Sequence, residues 1–491
     1  MDDDVLGGLN GAYLNLKERM GKPSKDEILE GNITTVIFKL GWPMMISSLL
    51  MTLYNLIDTI WLGRLPGDEA VYSVGAMGMS WSFVFLLMGI GMGFGVAALA
   101  LVSQHTGAKR YEEAARDAGQ LYTLSILFSL AVGIIGFFIT PYLLDILTGS
   151  GEDAAALAYY GTRYLQVIFL GLPFMFMFFS FSFIMRGWGD TITPMKITAI
   201  TVVINLFLDP ILIFGWGPIP MMGIRGAAIA TVTSRGIGAV TGLYLLLSGW
   251  HGLDMKARYM IPVWKKIKKI LKIGLPAAVG NEGSAIGFVV LWYFINRLPN
   301  QATAAGAYSA GNRILNITFL VMGGLAMAMS TMVGQSLGAD DEKRAEDVTK
   351  KGMTLMFLLM SAIAIVLFLA RRLLIGFIIP GQPEVIEEGA MFLMIFALAM
   401  PFFGLFRGVT SVLGGSGHTG QQMILSLTRL WGLRIPLVVI FAFVLGWYST
   451  GVWMGMALSN VIGAIIALFI LSLGKWKEKV IEDDPLESPK T

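Results

Sequence analysis

The chain has 491 residues, 55% of them hydrophobic and 14% charged, with a mean hydropathy of +0.69, a balance outside that of ordinary soluble domains. A net charge of +3 is too small to argue for a nucleic-acid partner, and the absence of cysteine excludes disulfides and thiolate metal sites. Such a sequence belongs in a bilayer, where runs of about 20 apolar residues cross the hydrocarbon core and must be helical, because no water is there to bond the backbone.

In chain order, the segment 1–35 is polar and mixed in charge, lacks the pattern of a cleaved signal peptide, and is assigned to the cytoplasm. Spans follow near 36–64, 72–103, 120–146, 158–186, 192–215 and 224–249, forming an N-lobe over 36–249. A cytoplasmic linker occupies 250–267, and its basic stretch, running through 261–272 with Trp264 and Ile267 among Lys265, Lys266, Lys268, Lys269 and Lys272, is expected as an amphipathic helix on the inner leaflet. Spans near 268–297, 303–336, 352–380, 387–413, 420–446 and 452–474 form a C-lobe over 268–474, followed by a tail, 475–491. The fold class is therefore all-α and polytopic, with twelve transmembrane helices in two six-helix bundles related by pseudo-twofold symmetry. Lys and Arg concentrate in the connections GAKRYEEAARDAG, PVWKKIKKILKIG and GADDEKRAEDVTKKG, which the positive-inside rule places in the cytoplasm together with both termini.

The two halves repeat each other. KLGWP at 39–43 is echoed by KIGLP at 272–276, and VSQHTGA at 102–108 by VGQSLGA at 333–339, at separations of 233 and 231 residues. RGWGDT at 186–191 has a weaker counterpart in GGSGHT at 414–419. Six spans repeated in one sense describe a duplication about an axis along the membrane normal, as in alternating-access transporters.

Few acidic residues lie inside the spans: Asp58 in YNLIDTIWLG, Asp209 in NLFLDPILIF and Glu282 in VGNEGSAIGF. Groups ionisable at that depth face a bundle interior or a watery cavity and mark ion pathways. Tyr54 stands four residues before Asp58 and Asn205 four before Asp209, which puts each pair on one helical face. Pro210 withholds a hydrogen bond from the Leu206 carbonyl and bends its helix, and Pro43 does the same to the first span. Together these residues form an oxygen-rich pocket for a proton or a hard cation such as Na⁺.

Other signals point away from enzymes. GIGMGFGVAA at 89–98 lies within an apolar span and lacks a lysine, so close helix packing explains it better than a phosphate loop. Without GxxxxGK[ST], transport must draw on an ion gradient. The 30 methionines and 30 phenylalanines suit a cavity that accepts varied amphiphiles, with Met175, Phe179 and Ser182 of the fourth span as candidate walls. His105, His251 and His418 are read as solvated structural residues near cytoplasmic connections.

YNLIDTIWLG, NLFLDPILIF, the GAAIAT run of the sixth span and the duplicated plan together resemble the multidrug and toxic compound extrusion family, over about residues 36–474. Within that family the sequence resembles the branch named for the DNA-damage-inducible protein F. This resemblance implies a cation site in the N-lobe made of Asp58, Tyr54, Asn205, Asp209 and Thr231, of which Asp58, Asp209, Asn205 and Thr231 would hold the ion if it is Na⁺. It also implies a conformational role for Pro43, to which the helix bend at Pro210 is added from the sequence itself. Another branch keeps an acid in the seventh span, but Glu282 sits nearer Pro276 than that pattern places it. Glu282 is left to bind a cationic substrate, pair with Arg313 or face the cavity.

The resulting expectation is an antiporter, not an enzyme, that exports organic cations or other amphiphiles in exchange for H⁺ or Na⁺. It would need no cofactor and work as a monomer in the cell membrane, meeting only small-molecule substrates and lipids. A lipid-linked-precursor flippase would call for extra spans and a basic central cavity. An intramembrane prenyl transferase or metalloprotease would need Asp-rich metal motifs or HExxH, and the Asp340–Asp341 pair sits in a lysine-containing loop.

Overall fold

The computed structural model describes residues 21–149 and 151–481. The expectations for residues 1–20 and 482–491 lie outside the described residues. Twelve helices are long and apolar enough to cross a membrane: Ile33–Leu62, Asp68–Gly107, Tyr111–Thr148, Glu152–Gly187, Ile192–Phe214, Ile224–Leu247, Trp264–Ile295, Gln301–Gly338, Glu342–Ile378, Pro383–Gly415, Thr419–Val444 and Tyr448–Ser472. They are numbered as spans 1 to 12 below. A short helix, Lys25–Glu30, precedes them, and among the described residues there is no β-strand, only an isolated bridge between Trp216 and Ile219.

Several helices outrun the membrane. Span 2 has 40 residues, about 60 Å at 1.5 Å per residue, twice the hydrocarbon core. The charged connections expected after spans 2 and 8 are mostly helix: YEEAARDAG opens span 3 and EKRAEDVTKKG opens span 9. Ala, Glu, Lys and Arg are strong helix formers, and the Asp341 side chain caps span 9 by accepting from the Arg344 amide at 2.8 Å. The connections shrink to tight turns, each with one left-handed residue, Lys109 at φ 60° and Asp340 at φ 57°. Those two residues are 231 apart, so the sequence echo extends to the backbone.

The basic stretch also differs from expectation. It is no separate helix on a leaflet but the first turns of span 7, which runs unbroken from Trp264. Lys266 pairs with Glu113 at 2.8 Å and Asp117 at 2.6 Å on span 3, so acids on the N-lobe hold the stretch against protein. Gln120 of span 3 fixes the connector before it, donating to the carbonyls of Tyr259 and Ile261 and accepting from the Val263 amide.

This end of the molecule, called the basic end below, is where the lobes meet. Gln335 of span 8 donates to the Gly187 carbonyl at 3.0 Å, and Gln104 of span 2 donates to the Ser416 carbonyl at 3.1 Å. Both glutamines come from the VSQHTGA and VGQSLGA echo, and both acceptors from the RGWGDT and GGSGHT echo. The repeat is thus a reciprocal seal across the pseudo-twofold axis. Glycine permits it: a Cβ on Gly107 would lie 1.9 Å from the Gln335 carbonyl oxygen, and one on Gly338 1.9 Å from that of Gln104. Gly93 likewise lets span 2 meet Gly274 and Ala278 of span 7, whereas Gly91 and Gly95 receive Phe176 and Phe183 of span 4.

Span 1 belongs to both lobes. Val36, Ile37 and Leu40 join the C-lobe core, and Gly41 touches Gly324 of span 8, while its farther half packs on span 5 and carries Tyr54 and Asp58. Pro43 sits at the changeover. Its missing N–H leaves the Lys39 carbonyl without the usual helical donor, and Ser47 bonds back to the Pro43 carbonyl at 2.8 Å.

Candidate functional site

Spans 5 and 6 form a close hairpin because Gly226 has no Cβ, which would otherwise lie 2.3 Å from the Leu212 carbonyl oxygen. That approach brings Asp209 of span 5 beside Thr231 of span 6, and span 1 closes the group with Tyr54 and Asp58. All five expected residues, Asn205 included, are brought together and buried, with Asp58 1% exposed and Asp209 0%. Thr231 donates to Asp58 Oδ2 at 3.3 Å, and Asn205 donates from Nδ2 to Asp209 Oδ1 at 3.1 Å across one helical turn. The two aspartate side chains lie close enough to act on each other.

Tyr54 serves the pocket differently from a direct ligand. Its hydroxyl lies 3.2 Å from Ser234 Oγ, and Ser234 spends its own proton on the Thr231 carbonyl at 3.0 Å, so Tyr54 is the donor. Two residues beyond those expected complete the site. Ser234 is one; Arg235 is the other, with its guanidinium 5.3 Å from the Tyr54 ring and its charge acting on Asp58. Arg235 stands in plain view as a cation within an apolar span, but a search confined to acids passes over it.

Oxygen chemistry defines what the pocket lacks. Asp58 Oδ1, Asp209 Oδ2 and Asn205 Oδ1 are all buried with no hydrogen-bond partner, a costly arrangement. Two buried carboxyl groups side by side repel each other when both are ionised, and a shared proton or a bound cation relieves that repulsion. The donor set, hard oxygens with no sulfur or imidazole, fits H⁺ or Na⁺.

The expected cavity walls are placed otherwise. Met175 and Ser182 are buried within the N-lobe, Ser182 bonding its own helix at the Phe178 carbonyl. Only Phe179 keeps part of its surface, stacked on Phe183. Span 4 is packed on spans 2, 3 and 6, so a shared helical face there meets neighbours, not a cavity. Glu282 lies on the seam between spans 7 and 2, against Gly89, with Oε2 unpartnered; it makes no ion pair with Arg313 among the described residues. His105 is buried and 3.2 Å from Asp117, contrary to a solvated role.

Two lobes of six spans, joined by a symmetric seal and holding a buried carboxyl pair, define the class of polytopic membrane transporters. The model of the MatE family matches residues 43–211 and again 276–440, once in each lobe with starts 233 residues apart, and the chain belongs to that multidrug and toxic compound extrusion family. It is 29% identical over 468 residues to a probable multidrug resistance protein NorM of Thermotoga maritima, covering 93% of this chain and 96% of that one. A FAD transporter of Shewanella oneidensis is 25% identical, covering 93% and 96%. The fold matches a crystal structure of MATE in the bent conformation with a TM-score of 0.83 at 22% identity, over 93% of this chain and all of that one.

Proposed function

We propose that this protein is a secondary antiporter of the cell membrane that exports amphiphilic compounds in exchange for H⁺ or Na⁺, its basic end facing the cytoplasm. The observation that carries the reading is the pair Asp58 and Asp209, buried side by side with an unpartnered oxygen on each. An ion entering there removes the repulsion and supplies the missing partner, and when it leaves the cost returns. Coupling needs only that this cost differ between the two orientations of the lobes, so that ion and cargo each bias one equilibrium through differential affinity. Pro43 stands where span 1 passes from the seam to the ion pocket, and is the natural hinge between them. Closure at the basic end corresponds to an outward-facing state. The relatives' names support drug-like cargo for some members and a flavin nucleotide for another, so the substrate is assigned here only as an amphiphile.

Proteoliposomes given separate pH and Na⁺ gradients test this. Asp58→Asn and Asp209→Asn are expected to cut gradient-driven efflux of an amphiphilic dye at least a hundredfold while the purified variants keep wild-type Tm or exceed it, since each removes a repelling charge. Normal efflux by both variants, or efflux that ignores both gradients, overturns the proposal.

A further inference from the structure

The C-lobe holds the opposite charge. Span 11 is the repeat counterpart of span 5, and whereas span 5 carries the acid Asp209, span 11 carries the cations Arg429 and Arg434, which are 7% and 3% exposed. They lie 10 and 15 residues past Thr419, about 15 and 22 Å along the helix, hence near the middle of the bilayer. In an α-helix, residues five apart diverge by about 140°. Here Thr428–Arg434 is a π-turn, whose i→i+5 bonding brings such residues onto one face. The backbone departs from α-helix where it must aim both guanidinium groups together.

Their partners are too few and have the wrong charge for a structural tie. Arg429 Nη1 and Arg434 Nη2 donate to the same Asn460 Oδ1, at 2.9 and 2.8 Å, and Arg434 Nε donates to Ser459 Oγ at 3.0 Å. One neutral oxygen therefore serves two cations. Arg407 of span 10 adds a third positive charge to the field on Arg429 and keeps part of its surface exposed. Among the described residues no carboxylate pairs with any of the three. Arg429 Nε and Asn460 Nδ2, both donors, are buried without a partner. Buried cations without an anion are expensive at this depth, and unpartnered donors add to the cost. What is missing is an acceptor with negative charge.

We propose that Arg429, Arg434 and Asn460 form an anion-binding site in the C-lobe that takes the carboxylate, sulfonate or phosphate group of an aromatic amphiphile. Guanidinium groups bind such oxygens in bidentate fashion. The aromatic part follows from the walls: Arg429 lies 4.7 Å from the Phe406 ring and 5.3 Å from Phe403, and Arg434 lies 5.9 Å from Phe288. Phe288 and Trp431 are exposed beside it. That the bound molecule is cargo rests on the antiporter reading; that an anion binds does not.

The test uses the full chain in phosphatidylcholine nanodiscs and two dyes with one ring frame, fluorescein as the anion and a rhodamine methyl ester as the cation, followed by fluorescence anisotropy. Fluorescein is expected to bind saturably and at least tenfold more tightly than the rhodamine ester, and Asn460→Asp and Arg434→Gln each to weaken fluorescein binding at least tenfold. Asn460→Asp supplies an internal counter-anion, so its Tm should hold or rise, which separates lost binding from unfolding. Absence of saturable fluorescein binding, or wild-type fluorescein affinity in both variants, overturns the site. Arg434-dependent binding without gradient-driven efflux of either dye upholds the site and overturns the antiporter reading.

Discussion

If the pocket binds an ion as proposed, Arg235 is the residue expected to set how tightly it is held. Its positive charge acts on Asp58 from the same helix that supplies Thr231 and Ser234, so it competes with any cation entering between the carboxyl groups. Arg235→Gln keeps much of the side-chain length and removes that competition. Apparent affinity for the coupling ion should rise by roughly tenfold, worth about 1.4 kcal/mol, and maximal efflux should fall because release slows; an ion titration of efflux rate measures both. An unchanged or weaker ion affinity would mean that Arg235 merely braces Tyr54. At this scale the sequence is readable where chemistry is local. The pairs Tyr54/Asp58 and Asn205/Asp209 follow from four-residue spacing, and burial of an acid in lipid leaves it no place but a pocket. Met175 and Ser182 were unreadable for the converse reason: periodicity tells which residues share a face, but not whether a cavity or another helix covers it.

Among elements, span 5 shows how a helix that positions the site is itself held. At its start Asp190 Oδ1 accepts from the amides of Ile192 and Thr193 at 3.1 and 3.0 Å, and Oδ2 accepts from the Thr193 hydroxyl and from Lys22 Nζ, each at 2.8 Å. Burial pushes this carboxyl up, but the Lys22 ammonium and the Thr193 bonds outweigh it and hold it below the ordinary carboxylate range. A folded-state pKa below the unfolded one gives stability that is fully present above the unfolded value, near 3.9, and is lost as pH falls through the folded one. Asp190→Ala is therefore expected to cost about 1–2 kcal/mol at pH 7, with the gap to wild type widening as His251, 3.7 Å from Asp190, gains its proton and closing below about pH 4. Tm measured against pH decides; a gap that persists at the acidic extreme would assign the loss to packing instead of charge. Element ends were the part of the fold least legible beforehand. Hydropathy marks where the chain leaves the membrane, whereas YEEAARDAG and EKRAEDVTKKG continue as helix after that point because their residues favour it. The lysines of 265–272 were likewise legible as an amphipathic face, but the span 3 acids that pair with Lys266 lie 153 and 149 residues away and leave no local trace.

For the whole molecule, the echo VSQHTGA/VGQSLGA announced a duplication, and only the assembled lobes give it a purpose. Gln104 also accepts from the amides of Val480 and Ile481, at 2.9 and 3.3 Å, and Arg344 of span 9 donates to the carbonyls of Ile28 and Gly31 at 3.0 and 2.6 Å. Segments from both ends of the chain thus cross to the other lobe at the basic end, and hydrogen bonds between the lobes among the described residues gather there. The seal is nonetheless breakable at a single atom. A methyl group on Gly107 would collide with the main chain at Gln335, and one on Gly338 with the main chain at Gln104, and backbone cannot step aside as a flexible side chain does. Neither methyl meets such an obstacle once the lobes separate, so Gly107→Ala penalises only the closed arrangement and shifts the population toward one open at the basic end. Because the chain has no cysteine, Thr331→Cys, at a fully buried position whose hydroxyl bonds the Arg186 carbonyl across the seal, makes a clean reporter. A membrane-impermeant maleimide supplied at the basic end should label it at least ten times faster in the Gly107→Ala background than without it, with Tm lowered only slightly because each lobe's core is untouched. Equal labelling rates in the two backgrounds would show that the lobes do not part along this seam, and the hinge assigned to Pro43 would lose the motion it is meant to serve.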